Sequence, residues 1–374
     1  MALLLKYIMS LQFAEQQTEL FRASLLQWYD PNQRPLPWKG ESNPYFIWLS
    51  EIILQQTRVE QGLSYYLKFI KAYPTVKALA TAPEDEVFKN WEGLGYYSRA
   101  RNLLAAARYI HHDLGGQFPE TYEGIIALKG VGPYTAAAIS SFAFHLPYAV
   151  LDGNVYRVLA RYFGIHVPID STPGKKQFQE LAQICLDHEN PSTYNQAIMD
   201  FGATLCKPKK PLCESCPLKD GCRALTAQQV QQLPIKTKKI KKRNRYFYFL
   251  EIHQGGQVLL QKRTAKDIWQ DLHQFPLIET DQHLADTKAL FDSSAWQHLF
   301  QENDWAIQQI SKTYQQTLTH QKIFATFLKI EIPDQVELQL QDAFWQAEEQ
   351  LKVFAFPKII DWYLADNSLY LSLT

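Results

Sequence analysis

No stretch of this chain approaches the ~20 uninterrupted apolar residues that a membrane-spanning helix needs, so no such span and no membrane partner are expected. Charge of one sign is not in excess: 38 Lys and Arg face 38 Asp and Glu. Cysteine is scarce, five in 374 residues, and four of the five fall between positions 206 and 222. Disulfide scaffolds are short and spread their cysteines along the chain, so this crowding reads as metal ligation and not as an extracellular framework. The start, Met1-Ala2-Leu3-Leu4-Leu5-Lys6, lacks the basic leader and small-residue cleavage site of a secretory signal, and Lys6 and Gln12 interrupt it. It reads as the first turns of a helix in a cytoplasmic protein. Internal repeats and low-complexity tracts are absent.

What is present fits a globular protein, with 46% apolar and 20% charged residues. A prior of roughly 150 residues per domain gives two or three domains. The balanced charge is unevenly placed. Between Cys206 and Arg245 stand twelve Lys or Arg against Glu214 and Asp220, a net charge of +10 that the remainder must offset. Such a segment fits a phosphate-contacting surface, or more blandly a solvated basic linker. From Leu11 to about Thr226, apolar residues recur at three- and four-residue spacings, which predicts helices. Asn43-Pro44 marks a helix start, with the asparagine as cap and the proline at the first helical position. Thr81-Ala82-Pro83-Glu84 and Asp113-Leu114-Gly115-Gly116 punctuate further helices. Residues 227–244 read as a linker. Beyond it, Arg245–Ile252, a Gly255-Gly256 turn and Val258–Arg263 predict a β-hairpin, and Ile323–Ile332 alternates like another strand. Helices expected near 283–303 and 342–350 make residues 245–374 an α+β domain.

Cys206, Cys213, Cys216 and Cys222 are separated by six, two and five residues. Zinc usually takes two CxxC knuckles, and only Cys213 and Cys216 form one, so spacing alone leaves zinc and a 4Fe–4S cluster both open. Cys185 lies on an apolar helical stretch and reads as a core thiol. Gly130 and Gly132 in Leu128-Lys129-Gly130-Val131-Gly132-Pro133-Tyr134-Thr135 permit a tight turn before a helix, which offers free backbone N–H groups to an anion. The same residues also suit a plain interhelical turn. Asp152 precedes a helix, so it is an N-cap, a catalytic acid, or both. Glu51 shares a helix face with Ile47, Trp48 and Leu54. Buried there, its pKa would rise toward the neutral range that a general acid requires; an exposed helix edge is the alternative.

Taken together, these strings resemble the MutY-type adenine DNA glycosylases of the endonuclease III superfamily, strongly over residues 25–225 and more weakly beyond. The cysteine gaps resemble those that hold a 4Fe–4S cluster in that superfamily, which implies one such cluster here, with Lys207, Lys209 and Lys210 facing DNA phosphates. Helix–GVGPYTA–helix, at about 121–145, resembles the helix–hairpin–helix motif, with Leu128, Val131 and Pro133 in its structural positions. Gly130, Gly132 and Thr135 then belong to the DNA-contacting set. The spacing from hairpin to Asp152 resembles that to the family's catalytic aspartate, with Asn154 orienting Asp152 and a water. WLSEIILQQT resembles the segment bearing the catalytic glutamate, here Glu51. Endonuclease III-type enzymes place a Schiff-base lysine where this chain has Tyr134, and a tyrosine cannot form that imine. The resemblance therefore implies a monofunctional glycosylase in which Glu51 is the general acid, Asp152 the ionised stabiliser or nucleophile, and Tyr134 an aid near the sugar. Gln55 and Gln56 resemble the loop that fills the gap left by a flipped base, and Tyr96 the aromatic wedge beside the estranged base, although Tyr96-Tyr97 would also serve plain helix packing.

The expected architecture is a helical glycosylase domain over 1–226, with the cluster loop at 206–222, the basic linker over 227–244, and a MutT-like (Nudix-like) domain over 245–374. Asp271–Pro276 and Phe354–Lys358 resemble signatures of that second domain. No Glu-rich REUxEE motif is present, so a second hydrolase is not expected. Leu318-Thr319-His320 stands where the family has Phe-Ser-His, and Thr319 and His320 are the candidate lesion readers; the plainer role for His320 is to tie down the start of a strand. The implied partner is double-stranded DNA with adenine opposite 8-oxoguanine or guanine, bound by a monomer. The alternatives are a bifunctional endonuclease III-type enzyme acting on oxidised pyrimidines and a non-enzymatic iron–sulfur DNA-binding protein.

Overall fold

The Asn43 side chain accepts a hydrogen bond from the Tyr45 amide at 3.0 Å and Pro44 follows as the first helical residue, so helix Pro44–Leu54 begins where its capping residues dictate. The structure is a computed structural model describing residues 2–237, 241–284, 286–301 and 304–371, with side chains described from residue 16 to 367 apart from Pro31 and those gaps. Packing divides the chain into two compact units, Met1–Ala80 with Ala105–Lys238, and Thr81–Leu104 with Lys239–Thr374.

The first unit is helical. Phe21, Leu25 and Tyr29 of helix Ala2–Tyr29 share a core with Val155 and Leu159 of helix Gly153–Phe163, with Phe178, and with Phe201 of helix Pro191–Thr204. Helices Tyr122–Ile126 and Pro133–Phe144 flank the expected hairpin. Gly130 sits at φ +83°, a conformation that costs other residues about 1 kcal/mol or more, and Leu128 and Val131 are buried beneath the turn. The first part of the expected linker is not free. Leu233 is buried, its carbonyl accepts from Arg161 Nε at 3.1 Å, and the Ile235 carbonyl accepts from the Ile169 amide at 3.0 Å. Residues 238–240 of that linker lie outside the described residues.

The second unit is built on a mixed sheet of β1 (Arg243–Gln254), β2 (Gln257–Lys262), β3 (His273–Gln274), β4 (Leu277–Thr280), β5 (Ala306–Ile310), β6 (Tyr314–Thr317), β7 (Gln321–Glu331) and β8 (Ala343–Ala347). The central pair, β1 and β7, is parallel, and β1–β2 form the expected hairpin through Gly255 and Gly256. Alternation along β1 sends Phe247 and Phe249 to one apolar cluster and Tyr248, Leu250 and Ile252 to another. Helices Lys288–Phe291 and Ser294–Phe300 fall in the expected stretch, but the helix expected over 342–350 does not form. There β8 pairs antiparallel with β2, and a 3-10 turn, Glu348–Val353, follows. Phe344 packs on one cluster while Ala343 and Trp345 pack on the other, and only the two-residue period of a strand allows that. Among the described residues no helix is long and apolar enough to cross a membrane.

Candidate active site

Helix Pro44–Leu54 buries nearly every side chain, Glu51 included at 8% exposure. A carboxylate loses hydration there, and its pKa rises to about 7, chiefly through burial and further through the nearby Asp152; a hydrogen bond from Tyr134 opposes the rise. Tyr134 stands in the first turn of helix Pro133–Phe144, and burial and the two carboxyls hold its phenol well above its usual range. Its hydroxyl also lies 3.5 Å from Met199 Sδ. One O–H points at one acceptor, and the carboxyl is the stronger. Glu51, Tyr134 and Asp152 are therefore brought into one neighbourhood.

Asp152 is an N-cap and a member of this site at once. Its Oδ1 accepts from the Asn154 and Val155 amides at 2.9 and 2.8 Å, and its Oδ2 from Asn154 Nδ2 at 2.7 Å. Burial, the largest cause, leaves its pKa above the usual carboxylate value, and these donors and Arg157 reduce that rise. Asn154 is fixed in turn: Arg157 Nη2 donates to its Oδ1 at 2.9 Å and to the Gly202 carbonyl at 2.7 Å, and Arg157 Nε reaches the Cys206 carbonyl at 2.7 Å. A Cβ on Gly202 would come within 2.7 Å of Asn154 Cβ, so only glycine lets helix Pro191–Thr204 pass this close. The pair thus differs by construction. Glu51 has an apolar setting that favours its proton, and Asp152 has donors that favour its charge.

Cys206, Cys213, Cys216 and Cys222 are all free thiols, and Cys185 is buried in the core as expected. Burial pushes the Cys216 thiol up to about 12, and the neighbouring Cys206, Cys222 and Cys213 add to the rise. Arg161 Nη1 approaches Cys206 Sγ at 3.4 Å, a cation placed against thiolate charge. Among the described residues no three His, Cys, Asp or Glu side chains close on a single metal ion. Four neighbouring thiols with the Arg161 guanidinium beside Cys206 fit a 4Fe–4S cluster, which Cys206, Cys213, Cys216 and Cys222 would hold.

The remaining candidates divide. Gln55 Nε2 donates to Thr135 Oγ1 at 3.2 Å, so Thr135, 2% exposed, braces Gln55 and does not itself face outward. Gln56 holds a left-handed φ of +55° at the end of its helix. Gly132 caps helix Pro133–Phe144, and Lys209 and Lys210 beside the half-buried Lys207 are exposed. In the second unit Tyr96, at φ +48° and 45% exposed, hydrogen-bonds through its hydroxyl to Thr319 Oγ1. Both line a cavity of about 460 Å³ with Trp269, Leu318, His320 and Lys358. His320 is exposed, and its carbonyl accepts from the Arg243 amide at 3.0 Å, so its backbone does tie down the strand start. The sequence reading missed Met199 and its neighbour Asp200, which is 1% exposed and paired with Lys39 and, at 2.7 Å, with Arg34. Arg34 and Asp200 are 166 residues apart, and no local pattern joins them.

Three regions match described families: residues 49–185 the helix–hairpin–helix superfamily of base excision DNA repair proteins, 206–222 the iron–sulfur binding domain of endonuclease III, and 247–366 the Nudix domain. The cysteine set accordingly carries a 4Fe–4S cluster. An adenine DNA glycosylase of Buchnera aphidicola subsp. Baizongia pistaciae is 38% identical over 266 residues, covering 69% of this chain and 74% of the relative. The human adenine DNA glycosylase is 44% identical over 222 residues, 57% of this chain and 41% of the relative. A solved thermostable thymine-DNA glycosylase is 31% identical with a TM-score of 0.54, covering 57% of this chain and 99% of that one.

Proposed function

The chain belongs to the adenine DNA glycosylases, and on that premise we propose that it removes adenine paired with 8-oxoguanine or guanine and leaves the strand uncut. The observation that carries the reading is the carboxyl pair: Glu51 with a pKa of about 7 beside an Asp152 held by three donors. Adenine is a poor leaving group until its five-membered ring is protonated. Glu51 is protonated over a useful fraction of molecules near neutral pH and delivers that proton. As the glycosidic bond breaks, positive charge grows on the sugar, and the Asp152 carboxylate stabilises it or traps it covalently before water completes the hydrolysis. Tyr134 keeps Glu51 oriented. Cys206, Cys213, Cys216 and Cys222 would hold the cluster, which would cross-link the 206–222 loop. Having no amine, Tyr134 supports a monofunctional enzyme over the lyase alternative. The Tyr96–Thr319 hydrogen bond supports a reader of the opposite base made from both segments.

The test is incubation with duplexes carrying adenine opposite 8-oxoguanine, followed by alkali. Adenine release with nicking only after alkali, and little borohydride trapping, is the expected result. Strong trapping by the wild type would establish the lyase reading, and an untouched duplex would end the proposal.

A further inference from the structure

The four residues ahead of Leu151 and Asp152 lie outside any helix or sheet, so the hydrogen bonds of their backbone must be met otherwise. Two side-chain amides meet them. Asn195 Nδ2 donates to the Tyr148 carbonyl at 2.8 Å while its Oδ1 accepts from the Val150 amide at 3.1 Å. Gln183 Nε2 donates to the Pro147 carbonyl at 2.7 Å while its Oε1 accepts from the Ala149 amide at 3.1 Å. In an extended chain alternate residues present their N–H and C=O to opposite edges. Each amide therefore imitates a neighbouring strand, one along each edge. Asn195 is fully buried in helix Pro191–Thr204, and Gln183 projects from helix Thr172–Cys185.

We propose that Asn195 and Gln183 are positioning residues that clamp residues 147–150 and thereby set where Asp152 stands relative to Glu51. The proposal rests on the assignment of Asp152 given above. Helix Pro191–Thr204 also carries Met199, which meets the Tyr134 hydroxyl, and Gly202, whose carbonyl holds the Arg157 that fixes Asn154. The residue that sets the approach to Asp152 thus shares a helix with contacts to Tyr134 and to the Arg157 that fixes Asn154. Releasing residues 148 and 150 lets Leu151 and Asp152 drift, and a misplacement near 1 Å is enough to cost about 10²-fold in rate.

The test compares Asn195→Ala and Gln183→Ala with Leu79→Ala, a core truncation in helix Val76–Thr81 that touches none of these residues. Single-turnover rates on an adenine:8-oxoguanine duplex, duplex Kd and amide hydrogen exchange are measured below every melting point. Asn195→Ala should lose about 10²-fold in rate with Kd unchanged. Its exchange at 147–155, including the Asn154 and Val155 amides that Asp152 caps, should quicken while helix Pro133–Phe144 keeps its protection. Gln183→Ala, on the outer edge, should do the same more weakly, and it carries the test alone if Asn195→Ala does not fold. Wild-type rates and exchange in both variants, or losses no larger than those of Leu79→Ala, would overturn the proposal. Should the wild type leave adenine in place, the proposed function fails, and the exchange comparison still decides the clamp.

Discussion

Each unit holds one carboxyl whose pKa rises to about 7, Glu51 buried in the helical unit and Asp361 half-buried in the sheet unit. Burial is the main cause in both, and a second carboxyl adds to it, Asp152 for Glu51 and Glu92 for Asp361. What surrounds them differs. Glu51 meets a phenol and a second acid that itself has three donors, whereas Asp361 feels the offsetting charges of Lys89 and Lys358. A perturbed carboxyl therefore marks a candidate and not a site. Under the proposed function the proton near neutral pH is useful where a group of opposite role stands beside it, and only Glu51 of these two has such a neighbour.

The sharpest way to break that distinction is to remove the titrating group from each unit. Glu51→Gln and Asp152→Asn should each lower the single-turnover rate by the ~10²–10⁴-fold typical of removing a catalytic acid or base, with duplex binding retained. Asp361→Asn should leave the rate within about two-fold, because it removes no group of the Glu51–Asp152 pair. In the wild type the rate should decline as pH rises through about 7, where Glu51 loses its proton, and that limb should vanish in Glu51→Gln. A near-normal rate for Glu51→Gln would remove the acid from the mechanism.

Stability should separate from activity with the opposite sign. Glu51 has a folded pKa of about 7 against 4.5 for the free group, so the folded chain holds a proton that the unfolded chain releases. Stability is therefore lost as pH rises between those values, by up to ~3 kcal/mol at 1.36 kcal/mol per pH unit. Glu51→Gln should restore that amount, read as a gain in urea midpoint at pH 8 that shrinks toward pH 4. Asp361→Asn should gain in the same direction. Equal stability of wild type and Glu51→Gln at pH 8 would mean the carboxyl is better solvated than its 8% exposure implies.

Particular residues show how much was legible in advance. The cysteine gaps, the Gly130 turn and the apolar face around Glu51 are local patterns; the turn and the buried face form where the spacing put them, and the cysteine gaps match an iron–sulfur binding domain. Asp152 was legible twice over, because capping a helix and serving the site use the same position. The pairing of Asp200 with Arg34, the Met199 contact and the Asn195 clamp join residues tens to more than a hundred positions apart, and no periodicity encodes them. The stretch 342–350 failed for a related reason. Glu, Gln and Ala favour a helix, but pairing with β2 and two apolar clusters, on opposite faces, override that preference.

The smallest effect should come from the sheet unit, where the candidate readers are accessible and not enclosed. Under the proposed function adenine is undamaged, so the lesion is recognised through its partner base. 8-Oxoguanine differs from guanine by one oxygen and one N–H, which hydrogen bonds can read. Thr319 already bonds to the Tyr96 hydroxyl and His320 is exposed beside it, both on the turn that joins β6 to β7. β7 is paired with β1 along its whole length, so the turn has a rigid base. Thr319→Ala and His320→Ala should each narrow the preference for adenine opposite 8-oxoguanine over adenine opposite guanine by ~1–3 kcal/mol, the worth of a good base-edge contact. Excision opposite guanine should change little, since Glu51 and Asp152 are untouched. The backbone bond from Arg243 to the His320 carbonyl survives both substitutions, so the strand start should hold and the melting temperature should stay put. Single-turnover kinetics on both duplexes decide the matter, and an undiminished preference in the double variant would move lesion recognition into the helical unit.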